Sequence, residues 1–551
     1  MDAKIIEHLK EFLSKNDIDG ILVNSTNEFL VEYNLLEENA RYHLTGFTGS
    51  TGDVLFTTDK IYLFVDTRYH EQADNQVDKN LIEVVKIPLS KSYLTALEEI
   101  IPAYFKLGIV STKTSKKFYD VLEKKLQSKN STIRLFNSDP VIEYKKDSIK
   151  NINYNVFKVD SNICGLTADE KFETIKKYAG ENFTIIVTSL EDIAYITNLR
   201  SFDFQYSAIF PAKAIISDEG INIYTNCDLP YIGGHFKTLP LENFENDIKS
   251  LARKEIFIDE TQMSIHDYKL INPSNKILQS HLSLFKSVKH QNEINHLKNC
   301  FGRADNALRV IYEMLNSETI YSEYDYYQAI IKSLKDNGAL SLSFNPIVAG
   351  GSNTSIIHYS SPSKEKMIED GDLLLIDFGA YYEGGLATDT TRTFIKGNAT
   401  QEQKTAYTAV LKAFLNAYYN KYSKKSSYFN IDKIARDTIN KSISNDYQFA
   451  HGTGHGVGIS VHENPPRVSP SNSAKTKIIE NTVFSIEPGV YKEGWGGIRL
   501  ENTVYATYEE DKIIINNFSH FPFEIKLVDL SMMNDYEKYY YMKWQATSCV
   551  Q

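Results

Sequence analysis

Hydrophobic positions along this chain switch between a helical period and short unbroken apolar runs, and the order of the switches outlines three parts. Ile5, Ile6, Leu9, Phe12 and Leu13 fall on one helical stripe, which predicts a helix over 4–16. GILVN (20–24) is a run of the buried-strand type, and DVLFTT (53–58) with KIYLFVDTR (60–68) predicts a strand pair. A helix over 91–105 and a strand at LGIV (107–110) follow. The stretch 137–162 is polar and weakly periodic, which places a domain boundary near 150. A second pass then begins. Helices are predicted over 168–180, 190–199 and 265–271, with strands over 183–189, 212–217, 220–226 and 255–260. The repeated order predicts two α/β domains of similar build, residues 1–150 and 151–286. The third part, 287–551, opens with a long amphipathic helix, SVKHQNEINHLKNCFGRADNALRVIYEML, and a second helix over 321–336. Strands at 373–382 and 389–397, a helix over 401–422, and strands at 481–491 and 496–507 complete it.

Composition narrows the class. The 551 residues are 42% hydrophobic and 24% charged, as in a soluble globular protein. The net charge of −11 argues against a nucleic-acid backbone as partner. Cys164, Cys227, Cys300 and Cys549 are scattered and form no CxxC pair, which excludes a disulfide framework or a cysteine zinc site. Charges interrupt the N-terminal stripe, and no apolar run approaches the roughly eighteen residues of a membrane span. The expectation is a cytoplasmic protein with neither a nucleic-acid nor a membrane partner.

The chemistry concentrates in the third part. HGTGHGVG (451–458) spaces two histidines four apart, but Gly452, Gly454, Gly456 and Gly458 oppose a helix, so a zinc-binding helix is not expected there. Carboxylates interrupt apolar runs nearby. Asp377 ends LLLID and Asp389 opens DTTRTF, with a Gly-Gly turn between them that suits a hairpin. Glu487 in FSIEPGV and Glu501 in RLENTV repeat the arrangement. Taken singly, each acid reads as a solvated residue, a cap or half of an ion pair, Asp377 with Arg392 and Glu501 with Arg499. Taken together, four inward-facing acids repel one another and need cations or hydrogen-bond partners. Four carboxylates and one neutral imidazole balance two divalent ions, and an oxygen-rich set favours manganese over a thiolate-type zinc site.

NTSIIHYSS, LLLIDFGAYYEGGLATDTTRTF, HGTGHGVGISVHENPP, FSIEPGVY and GIRLENTV, in this order, resemble the pita-bread metallopeptidases. Within that family the long, three-domain Xaa-Pro aminopeptidases are most similar, because YHLTGFTGSTG (42–52) and LFVDTRYHEQA (63–73) look like their first domain. The resemblance implies two creatinase/prolidase N-terminal-like α/β domains followed by an α+β pita-bread catalytic domain. It implies that Asp377, Asp389, His455, Glu487 and Glu501 hold two metal ions, manganese first with cobalt or zinc as alternatives. His358 and His462 take the roles of substrate and transition-state histidines, His451 lies beside the ligands or the substrate, and Arg499 is the supporting arginine. The Asp377–Asp389 interval is one residue longer than the usual pattern and His455–His462 is shorter than in many long members. A homodimer formed through the catalytic domains is also implied, with YYYMKW (539–544) serving either a subunit contact or core packing.

The expected function is removal of the first residue from peptides whose second residue is proline. A hydroxide bridging the metals attacks the scissile carbonyl, Glu487 relays a proton to the proline nitrogen, and His462 stabilises the oxyanion. The alternatives are a prolidase restricted to dipeptides, a methionine aminopeptidase, a metal-free creatinase-like hydrolase and a non-catalytic protein-binding scaffold. The two N-terminal domains count against the second, and the complete ligand set counts against the last two.

Overall fold

The computed structural model describes residues 3–149, 152–251 and 255–548. Cys549 and the boundary expected at residue 150 lie outside these. The chain divides into two compact units, one made of residues 1–158, 166–205 and 209–282, the other of 159–165, 206–208 and 283–551.

The first unit contains two six-stranded sheets. In the first sheet Gly20–Val23 pairs antiparallel with Asp53–Thr57, which pairs antiparallel with Ile61–Val65, which in turn pairs parallel with Ile82–Lys86. On its other side lie Lys106–Val110 and Thr132–Phe136, both parallel. The second sheet repeats this succession around Phe183–Val187. Lys213–Ser217, Gly220–Tyr224 and Phe236–Leu239 lie on one side, Glu255–Ile258 and Lys276–Gln279 on the other. The two passes seen in the hydrophobic pattern are therefore one topology used twice. Central strands such as Gly20–Val23 are buried throughout, as expected of a strand covered on both faces. The helix Ala3–Asn16 buries Ile5, Leu9 and Leu13 against Ile21 and Val54. The helix expected over 91–105 runs only from Tyr93 to Ile100, because Pro102 disfavours helical geometry at Ile101.

The second unit is built on a nine-stranded sheet. Its main path runs Ile347–Gly350, Leu373–Phe378, Thr390–Ile395, Glu501–Glu509, Val483–Ile486, Gly454–Gly456 and Glu463–Val468. Lys512–Asn517 adds to Glu501–Glu509, and Tyr422–Ser423 adds to that strand. The helices Gln291–Leu315 and Glu323–Asp336 share a core with Val348, Leu374, Ile376 and Phe394. Gln401–Tyr418 and Tyr428–Ser442 share one with Phe484, Ile486, Val504 and Ala506. Strand alternation then turns Asp377, Thr391, Ser485 and Glu501 to the face opposite these helices. The YYYMKW segment packs in part into the core. Tyr541 and Trp544 are buried, while Tyr539 and Met542 are exposed. Among the described residues no helix is long and apolar enough to cross a membrane.

Candidate metal centre

The strand register sets the first acids. Asp377 lies opposite Thr391, and Thr391 lies opposite Glu501, so the three form one row across three strands. Thr391 Oγ1 donates to Glu501 Oε2 at 2.6 Å, and Arg499 Nη2 donates to Asp377 Oδ2 at 2.7 Å. The other oxygens of these acids, Asp377 Oδ1 and Glu501 Oε1, are buried without a hydrogen-bond partner. Such an atom is costly unless something positive meets it.

The remaining ligand candidates converge on the same place. Asp389 directly precedes the strand Thr390–Ile395, and its Oδ2 is 3.5 Å from His455 Nε2. Glu487 Oε1 is 3.4 Å from the same nitrogen. His455 Nδ1 lies 3.0 Å from the Gly456 carbonyl oxygen, which places the ring proton on Nδ1 and leaves the Nε2 lone pair aimed at the acids. The glycines around His455 are explained by close packing. A Cβ on Gly454 would lie 2.0 Å from the Ser485 carbonyl oxygen, and His455 N donates to Ser485 Oγ. Ligand atoms of Asp389, His455 and Glu501 all lie within 4.8 Å of one another.

Charge makes this arrangement unstable by itself. Two carboxylate charges about 5 Å apart repel by about 3 kcal/mol at an effective dielectric near 20. Burial, then Glu501, Asp377 and Glu487, push Asp389 well above the usual carboxylate range. Burial, then Glu487 and Asp377, do the same to Glu501. A donor set of four carboxylates and one imidazole, two of its oxygens orphaned, therefore fits hard divalent cations.

The flanking residues form a directed chain. Burial lowers the Arg499 guanidinium, but Tyr491 and Asp377 more than offset this and raise it. Arg499 Nη1 donates to Tyr491 Oη at 2.8 Å, and Tyr491 Oη lies 2.8 Å from His451 Nε2. Since His451 Nδ1 is 2.7 Å from the Gly452 carbonyl oxygen, the phenol donates to Nε2. His451 Nδ1 is also 3.9 Å from Glu487 Oε2. Tyr491 was not singled out from sequence; its phenol, raised to about 12 by burial, joins Arg499 to His451. The His462 ring stands edge-on to that of His455, centroids 4.5 Å apart. Its neighbour Glu463 is buried, paired with Lys289, and accepts from Ile459 N. His358 is half-buried and follows Ile357, whose carbonyl accepts from Arg499 Nη1 at 3.4 Å.

The simple ion pairs considered for Asp377 and Glu501 do not form. Arg392 lies opposite Ile376, one residue out of phase with Asp377, and so occupies the other face. Its guanidinium donates to the carbonyls of Thr391, Glu501 and Phe521. Arg499 reaches Asp377 and leaves Glu501 to Thr391.

Residues 295–508 match the model of metallopeptidase family M24, and residues 5–144 and 147–293 each match a creatinase/prolidase N-terminal domain. The third part of the chain is thus similar to metallopeptidase family M24. The fold of the chain is accordingly two creatinase/prolidase-type α/β domains and a pita-bread domain. Xaa-Pro aminopeptidase 1 of Dictyostelium discoideum is 28% identical over 97% of this chain and 92% of its own length. An X-prolyl aminopeptidase of Caenorhabditis elegans, described as a cytosolic enzyme with a di-nuclear active site, superposes with a TM-score of 0.90. It covers 100% of this chain and 96% of its own, at 22% identity. A prolidase of Thermococcus sibiricus reaches a TM-score of 0.50 at 26% identity, over 64% of this chain and 95% of its own.

Proposed function

We propose that this protein is a dinuclear metalloaminopeptidase that hydrolyses the bond between the first residue of a peptide and a proline at position two. The observation that carries the reading is the convergence of Asp389, Glu487 and Glu501 around His455, with one oxygen each of Asp377 and Glu501 buried and left unpartnered. The near full-length likeness to a relative named Xaa-Pro aminopeptidase, both N-terminal domains included, supports the substrate class and disfavours the prolidase reading. The oxygen-rich donor set supports manganese, and the cytosolic nematode enzyme supports a cytoplasmic location. A homodimer is part of the same reading, with the exposed Tyr539 and Met542 as a candidate contact.

Asp377, Asp389, His455, Glu487 and Glu501 would hold the cations. When bound, these supply Lewis acidity towards the scissile carbonyl and lower the pKa of water. The protein's own groups do the rest. Arg499 and Thr391 each pin one oxygen of an acid, so that Asp377 and Glu501 present the other in a fixed direction. Glu487, with 17% of its side chain exposed against 5% for Asp389, is the acid open to proton exchange. It takes the proton of the attacking water and delivers it to the proline nitrogen, which becomes a better leaving group once protonated. His462 donates to the oxyanion as the carbonyl becomes tetrahedral. His358 and His451 orient the peptide and the carboxylates around it. Activity on Arg-Pro-Pro but little on Arg-Pro is expected; activity confined to the dipeptide would make the protein a prolidase.

A further inference from the structure

The loop that carries His358 has almost no regular structure to hold it. Between the strand Ile347–Gly350 and the strand Leu373–Phe378 there is only a five-residue turn of 3-10 helix, Gly351–Ser355. A carboxylate from another element runs through its centre. Glu323 is the first residue of the helix Glu323–Asp336 and is fully buried, at 0% exposure. Its Oε1 accepts from Gly350 N at 2.7 Å and Asn353 Nδ2 at 2.9 Å. Its Oε2 accepts from Tyr359 Oη at 2.8 Å and Ser363 N at 2.9 Å. The four donors lie on both sides of His358, and one belongs to the residue next to it. The carboxylate is itself anchored, because Glu323 N donates to Lys366 O and Tyr324 N to Ser363 O. Its place in the first helical turn favours the negative charge.

We propose that Glu323 is a positioning residue that fixes His358 for catalysis by gathering the 350–363 loop onto one buried carboxylate. The four donors fill both oxygens of the carboxylate. An amide of the same shape offers one acceptor oxygen and turns two N–H groups towards Tyr359 Oη and Ser363 N. Tyr359 Oη can accept from such a group but Ser363 N–H cannot, so Glu323→Gln keeps the volume and breaks the tether to Ser363. The inference rests on the peptidase reading for the role of His358, and on geometry alone for the tether.

The test is a double-mutant cycle on the metal-loaded, full-length protein with an Xaa-Pro-Xaa peptide. Glu323→Gln should lower kcat by about tenfold or more with KM and bound metal unchanged, and should cost nothing further when His358 is already alanine, because residues acting through one another are not additive. A parent-like kcat, or losses that multiply, overturns the proposal. If Glu323→Gln does not fold, Tyr359→Phe takes its place under the same criteria. Amide hydrogen exchange over 350–363 reads the tether without turnover: it should quicken in either variant, and unchanged exchange overturns the proposal. A parent protein that hydrolyses no Xaa-Pro peptide refutes the peptidase reading, and the exchange result still decides the tether.

Discussion

Thr391 is the cleanest point at which to perturb the metal centre. It is fully buried, it is no ligand candidate, and valine has its shape without the hydroxyl. In Thr391→Val, Glu501 Oε2 loses the donor now 2.6 Å away, and Arg499 Nε loses its acceptor at 3.3 Å. A hydrogen bond to an ionised group contributes about 2 kcal/mol net. That amount corresponds to about a 30-fold change in an equilibrium constant. Because Thr391 holds one oxygen of Glu501 while the other is left unpartnered, the loss should fall on cation binding. Manganese affinity, measured by competition with a chelator of known affinity, should weaken by about 30-fold, within the range expected for a residue supporting a metal ligand. Turnover should recover at saturating manganese. An affinity within about twofold of the parent would refute the idea that Thr391 aims Glu501.

Other expectations follow from the same geometry. His455→Ala should lower bound metal per chain by elemental analysis, whereas His462→Ala should retain metal and lose about 100-fold in kcat, the cost of one oxyanion donor; retention of both metals by the first, or parent activity in the second, would reallocate the histidines. In the metal-free protein, Asp389 and Glu501 titrate well above their unfolded values. The folded state then holds protons that the unfolded state has released, so this stability is fully present below the ordinary carboxylate range and is lost as pH rises through the raised values. The thermal midpoint of the chelated protein should fall, relative to the manganese-loaded protein, as pH rises above the ordinary carboxylate range, and a gap independent of pH would count against a cluster of interacting acids.

Much of this centre was legible because buried charge stands out in an apolar run. Asp377 and Glu501 each interrupt a strand, and a two-residue period decides which face they reach. The supporting groups were not legible for the same reason in reverse. Thr391 is an ordinary strand residue, and only the register shows that it sits between two acids. Tyr491 reaches back to His451, and Glu323 reaches forward to 350–363, contacts that spacing along the chain does not announce. Arg392 misled for want of register: one residue out of phase, it supports backbone carbonyls behind the site. The strand Glu463–Val468 escaped notice because Pro465 and Pro466 read as a loop, but prolines are tolerated at a sheet edge, where this strand lies. The helix Tyr428–Ser442 has polar residues on most positions and declares itself through Tyr428, Ile431, Ala435 and Ile439 packed in the core.

The central claim is a metal-dependent peptidase that requires proline at position two. It is tested most directly by stripping the protein with a chelator, verifying by elemental analysis that it is metal-free, and assaying Arg-Pro-Pro and Arg-Ala-Ala before and after manganese is restored. Neither peptide should be turned over when the protein is stripped, and Arg-Pro-Pro alone should be cleaved once manganese returns. Full turnover in the metal-free protein, or equal turnover of the two peptides, would contradict that claim.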